Sequence, residues 1–411
     1  MRSLLLCGVT ACSFFLSQPL SAQMANDPIV AQSMADDLGI SMAEAERRMG
    51  LLQEANDIAK RMKLDIGVRY GGLRVTNDQS FKVEFLVTGN PERVLAAYTN
   101  KPEFTAVQVS RSYQALKAKH DRLVEALSGS EDTYMIAVIP AENRVRVSLP
   151  PTERARGRLR NTNLVDDAVS IEEEDAPAIP VATCRGGAGL TGSHDLATSG
   201  FVVTDNLQNG SDGKPRRGMV TAAHLAECVS TSCNGTTSTI SGCTKNASVR
   251  DDASGVNFVF VRQRYDTSWD IEFRVPSTSG HTLTNQIVYA GTPMSITATS
   301  NPRNWEENTF TACKQGRKTG YTCALVTSNY ATLVRPGGNG TFIMMEKANT
   351  SLVGPGDSGG PVFTMNNAVG ITTLAGGRVG DCGSSSAYWT KLYFQPVDNL
   401  SALNISILTT P

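Results

Sequence analysis

Gly356-Asp357-Ser358-Gly359-Gly360-Pro361 is the stretch on which the reading of this chain turns. Serine is a weak nucleophile at neutral pH and needs a base, an orienting acid and an oxyanion site. Glycines around Ser358 let the backbone turn sharply and leave room for a carbonyl to approach. The backbone N–H groups of Gly356 and Ser358 are the natural oxyanion donors. The Gly-x-Ser-x-Gly pattern also fits the nucleophile elbow of α/β-hydrolases, but that fold orders its triad serine, acid, histidine. No histidine follows Ser358; the last is His281. Chain order excludes that reading.

The base therefore comes earlier. Met219-Val220-Thr221-Ala222-Ala223-His224 is an apolar run ending in small residues and a histidine. Small neighbours allow an imidazole at a strand end to face the nucleophile. His194 and His281 lack such a setting, and His120 falls on a helical stripe between Leu116 and Leu123. Asp270 fits the orienting acid: Trp269-Asp270-Ile271-Glu272-Phe273 places it at the start of an alternating strand. Asp266, beside Thr267 and Ser268, reads as a turn residue.

The rest of the 411 residues divides by composition. Of 36 glycines, 9 precede residue 181 and 27 follow it, and seven of the nine cysteines also follow it. The second part is turn-rich in the manner of a β protein. Arg2, an apolar stretch through Phe14-Phe15-Leu16 and the small residues ending at Ala22 predict a secretory signal over 1–22. The apolar core is too short for a membrane anchor, and a secreted or periplasmic location follows.

Residues 23–150 read as a mixed α+β unit. A Ser41/Glu44 capping box opens a helix with Met42, Ala45, Met49, Leu52, Ala55, Ile58 and Met62 on one stripe. Phe81, Val83 and Phe85 alternate as a strand, a second helix is predicted over Tyr113–Leu127, and strands follow at Tyr134–Ile139 and Arg144–Leu149. Residues 151–180, with an arginine run and then Glu172-Glu173-Glu174-Asp175, read as a solvated linker containing a processing site. Charges nearly cancel, 38 basic against 39 acidic, which argues against a nucleic-acid partner. No Cys-x-x-Cys occurs and the four histidines are scattered, so neither a metal nor another cofactor is expected.

The order His224, Asp270, Ser358, with Thr-Ala-Ala-His and Gly-Asp-Ser-Gly-Gly-Pro, resembles the chymotrypsin-type serine proteases, and in particular the bacterial branch of α-lytic protease and the streptogrisins. Cys313–Cys323 is similar to that branch's small disulfide loop, as is the ending Phe394-Gln395-Pro396-Val397 before a short helix. The resemblance implies an all-β protease domain over 181–411, built as two six-stranded antiparallel β-barrels with the site in the cleft. It also implies that the α+β unit is a pro region, a folding aid and an inhibitor until removed. The expected protein is a monomeric serine endopeptidase acting on protein or peptide substrates. The alternative is a catalytically idle binding protein on the same fold, although such proteins usually lose a triad residue.

By the same resemblance a basic residue of the disulfide loop neutralises Asp357, Lys314 being preferred to Arg317. Cys313–Cys323 is expected to be bonded, then Cys233–Cys243 and Cys184–Cys228, leaving Cys382. The walls of the specificity pocket fall at Thr350–Pro355 and Thr372–Gly377. Neither contains an acid, so uncharged cut residues are expected, with Leu374 able to narrow the pocket and Asp381 able to fold back into it.

Overall fold

A computed structural model describes residues 27–410, except 79, 176–178, 181–188, 192–195, 211–212, 227–228, 232–236, 240–246, 253, 267, 349 and 381–387. The signal segment, His194, Asp381 and Cys184, Cys228, Cys233, Cys243 and Cys382 lie outside the described residues.

The N-terminal body begins with helices Pro28–Leu38 and Met42–Ile66. Ser41 caps the second by accepting the Glu44 N–H at 3.2 Å. The return half of the capping box is not made: the Glu44 carboxylate turns to Arg47 and Arg48. Charge-assisted contacts outcompete a neutral N–H for the same carboxylate. From Leu52 to Met62 the predicted stripe is buried on a three-stranded sheet of Tyr70–Thr76, Lys82–Val87 and Phe104–Gln108, whereas Ala45 and Met49, with partly buried Met42, join a core shared with Phe201, Val203 and Phe363 of the C-terminal body. Helices Tyr113–Leu127 and Glu153–Asn161 cover the second layer of this body. That layer is the antiparallel pair Tyr134–Ile139 and Arg144–Leu149, with Val169–Glu173 added in parallel.

The expected linker is thus folded over most of its length. Thr152 caps the Glu153–Asn161 helix, and Ala155 and Leu159 enter the core. The like-charged runs do not repel into solvent because each meets the opposite charge. Arg154 engages Glu131 and Asp132, and Arg156 bridges Glu153 and Glu173.

Among the described residues the C-terminal body carries two large sheets, besides the pairs Val229–Thr231 with Thr237–Thr239 and Gln286–Tyr289 with Thr292–Ser295. In the first, eight strands follow the order Ile405–Ile407, Val202–Asn209, Pro215–Thr221, Asp270–Pro276, Asn257–Tyr265, Val249–Asp251, Gly189–Thr191, Leu196–Thr198. In the second, six strands run Thr311–Gly316, Pro361–Thr364, Asn367–Val379, Tyr388–Pro396, Gly338–Glu346, Gly320–Arg335. Thr311–Gly316 pairs also with Gly320–Arg335, so the six close into a ring around a core that includes Phe310, Ile343, Val362, Leu392 and Phe394. The segment after Pro396 is a 3₁₀ turn, Val397–Leu403.

The two bodies are joined by hydrogen-bonded sheet. Gly320–Arg335 pairs with Tyr134–Ile139, with Ala331 opposite Ala137 and Val334 opposite Tyr134. Met135, Ala137 and Ile139 pack against Leu333, Phe342, Met344 and Leu374. In the intact chain the Leu374 side chain, expected to narrow the pocket, belongs to this cluster. A polar patch adds to the joint. Lys63 reaches Glu306 at 2.7 Å, the Tyr70 hydroxyl donates to Glu306 at 3.2 Å, and the Tyr113 hydroxyl donates to Glu307 at 2.6 Å. Burial pushes the Glu307 carboxyl above its usual range. Tyr113→Phe strips a donor from this buried carboxyl and is expected to lower unfolding stability by about 1–2 kcal/mol. A urea midpoint that does not move would contradict the assignment.

Candidate active site

Strand Pro215–Thr221 runs into a 3₁₀ turn at Ala223–Ala226, and the turn delivers His224. Asp270 opens the neighbouring strand, Asp270–Pro276, which pairs with the first through Thr221 and Glu272. Both side chains are buried. Asp270 Oδ2 lies 2.6 Å from His224 Nδ1, and Asp270 Oδ1 accepts the His224 backbone N–H at 2.8 Å. Two contacts to one carboxylate fix both the imidazole and the turn that carries it. Among the described residues Nε2 makes no hydrogen bond, so the contact to a serine hydroxyl that completes a triad is not made here. Asp266, the rival acid, is a half-exposed turn residue accepting the Ser268 N–H, and His281 is an exposed loop residue beside Thr278.

Ser358 comes from the second sheet. It is fully buried, and among the described residues its Oγ also makes no hydrogen bond. The Ser358 carbonyl accepts the Thr198 N–H at 2.9 Å, and the Thr198 hydroxyl donates to the Gly356 carbonyl at 2.8 Å. Gly359 follows with φ +83°; a Cβ there would stand 1.9 Å from Thr221 Oγ1 and 2.9 Å from the Ala222 nitrogen. The nucleophile turn thus lies directly on the strand end that leads to His224, and only glycine permits this approach. Among the described residues, neither the Gly356 nor the Ser358 N–H donates to the protein, which leaves both free for an incoming oxyanion.

Asp357 is buried and fully caged. Lys314 Nζ lies 3.0 Å from its Oδ2, and the N–H groups of Lys318, Thr319 and Gly354 donate at 2.7, 3.2 and 2.9 Å. The Thr319 hydroxyl donates at 2.5 Å. Lys314 is thus the neutralising cation, whereas Arg317 turns to Asp252 at 2.7 Å. Burial pulls the Lys314 ammonium below its usual value against the pull of Asp357. Cys313 and Cys323 are bonded at opposed positions of the hairpin that presents Lys314.

One residue beside the site escaped the sequence reading. Glu272, two positions after Asp270 on the same strand face, is buried and bonded to buried Arg274 at 2.6 Å. Its signal was a Glu-x-Arg pair inside an otherwise apolar strand. Burial outweighs Arg274 and pushes the Glu272 carboxyl from 4.5 up to about 7. A carboxyl raised on folding binds its proton more tightly in the native state, so its contribution is complete below pH 4.5 and lost as pH rises through about 7. Glu272→Gln should flatten this decline in stability. An unchanged slope of unfolding free energy against pH in that window would refute the assignment.

No family model matches the chain. Over 394 residues, 95% of the chain, it is 22% identical to streptogrisin-C of Streptomyces griseus and spans 77% of that protein. Over 396 residues, 93% of the chain, it is 22% identical to serine protease 1 of Rarobacter faecitabidus and spans 64% of that protein's length. Among solved structures it is similar to the Nocardiopsis protease NAPase, at 22% identity and a TM-score of 0.38, covering 54% of this chain and 97% of that one. The class so defined is the serine proteases, hydrolases acting on peptide bonds. Both curated relatives that it resembles over nearly its whole length are bacterial serine proteases.

Proposed function

We propose that the chain is a secreted serine endopeptidase made as a zymogen, with His224, Asp270 and Ser358 as its triad and residues 23 to about 180 as the segment removed on processing. The observation that carries this reading is the packing of the Ser358-Gly359 turn on Thr221-Ala222, with the His224 imidazole held by Asp270 beyond it. In this mechanism His224 Nε2 takes the Ser358 hydroxyl proton as Oγ attacks the scissile carbonyl. Asp270 keeps the remaining proton on Nδ1 and stabilises the imidazolium. The Gly356 and Ser358 N–H groups receive the oxyanion. Protonated His224 then gives its proton to the leaving amine, and water hydrolyses the acyl-enzyme by the same route.

The pro-region reading is supported by the path of the chain between the bodies. Ile179–Pro180 pairs antiparallel with the wall expected to bind substrate, with Pro180 opposite Leu374 and Ile179 opposite Ala375. A segment hydrogen-bonded there competes with a substrate that adds a strand to the same edge. The Asp357 cage is complete with this segment in place, so removal of the segment is not required to build the oxyanion site.

Ser358→Ala is expected to lower peptidase activity on the order of 10⁴-fold or more. The same variant should accumulate as a chain still carrying residues 23–180, read by mass spectrometry. Undiminished activity would refute the role of Ser358, and cutting that persists in the pure variant would assign processing to another protease.

A further inference from the structure

The acidic run Glu172-Glu173-Glu174-Asp175 precedes the Ile179–Pro180 strand, with Glu174 six positions before Pro180. Three of its four carboxylates are held by the C-terminal body. Glu174 accepts the Gly377 N–H at 2.8 Å and Lys391 Nζ at 2.7 Å. Lys391 also bonds Glu172, and Arg378 reaches Asp175 at 2.6 Å. Gly377 and Arg378 sit at the far end of the strand, Asn367–Val379, whose residues 374 and 375 pair with the segment, and Lys391 is on the adjacent strand Tyr388–Pro396. A cavity of about 620 Å³ lies between the acidic run and this edge, with Ala348 and Thr390 among its walls.

We propose that Lys391, Arg378 and the Gly377 N–H form an extended subsite that selects acidic side chains well upstream of the cut bond. The inference rests on the proteolytic reading above. A substrate adding its strand along residues 374–375 continues in the direction taken by the chain's own segment, and its upstream residues then reach the same three donors. With Glu172 and Glu174 seated on it, Lys391 is 5% exposed, and a cation so covered needs a carboxylate. Its neighbours across the sheet are Gly376 on one side and Glu346 on the other. In the intact chain Glu346 pairs with Arg146 at 2.9 Å and Lys347 with Asp37; both partners belong to the proposed pro region, so in the processed enzyme Glu346 is the carboxylate with which an acidic substrate competes for Lys391. Thr390, beside Lys391, donates to the Gly377 carbonyl at 3.0 Å and helps hold Gly377 in place with its N–H toward Glu174. Two cations and a backbone donor thus converge on one stretch of peptide, with the geometry for two or three carboxylates.

The test compares two quenched fluorogenic peptides cleaved by protein expressed from the full chain. One carries the sequence of residues 172–183, Glu-Glu-Glu-Asp-Ala-Pro-Ala-Ile-Pro-Val-Ala-Thr; the other replaces the first four residues by Gln-Gln-Gln-Asn. The acidic peptide should have a kcat/KM about ten-fold higher, expressed in KM, and the advantage should shrink at about 1 M salt. Lys391→Met and, separately, Arg378→Gln should each bring the ratio toward one. Equal kcat/KM for the two peptides in the unaltered protein, or a ratio unmoved in both variants, overturns the subsite and leaves the protease reading intact. Cleavage of neither peptide overturns both.

Discussion

Asp357 and Lys314 form an ion pair with no exposure to solvent, and the surrounding structure is arranged to make that possible. A buried pair lacking further partners would cost more than its attraction returns. Here three backbone N–H groups and a hydroxyl complete the carboxylate, while Thr319 and the Gly320 carbonyl accept from the ammonium. This fixes the neighbouring residues. Gly316 must lack a side chain, because a Cβ there would stand 2.3 Å from Asp357 Oδ1. The hairpin bearing Lys314 is closed by the Cys313–Cys323 bond, and its first strand pairs with Pro361–Thr364, just past the nucleophile turn. The position of Ser358 is thereby set by the residue before it.

The second constraint lies between the bodies. Sheet pairing alone would leave their side chains free to slide, but the buried carboxyls of Glu306 and Glu307 must meet Lys63, Tyr70 and Tyr113. Arg146 likewise joins Glu142 and Glu172 on its own body to Glu346 on the other. Polar groups that are costly to bury unpaired specify a single docking position. In the proposed zymogen, the same docking delivers residues 179–180 to the edge of the substrate wall.

His224, Ser358 and the nucleophile turn were legible in the sequence because their chemistry is local: a few consecutive small residues are needed to bring backbone and side chain close. Asp270 was legible through its place at the head of an alternating strand. Tyr113–Leu127 and the strands after it were legible through periodicity, which needs no distant partner. The helix Glu153–Asn161 was not, because four arginines within seven residues read as self-repelling until Asp132 and Glu173 are brought against them. Glu272 was missed for a related reason: its alternation matched a strand, but its burial follows from Arg274 and the sheet around it. The packing of Leu374 with Met135, Ala137 and Ile139 was not legible because those residues are far away in the chain.

The central proposal is that one chain carries both a serine-protease site and the segment that pairs with its substrate wall. Reaction with an active-site-directed phosphonate tests this most directly, with intact chains and their processed products resolved in the same sample by mass spectrometry. The account predicts the adduct on Ser358 in products lacking residues 23–180 and little or none on intact chains. Equal labelling of intact and processed forms, or labelling of neither while both remain folded, would contradict it.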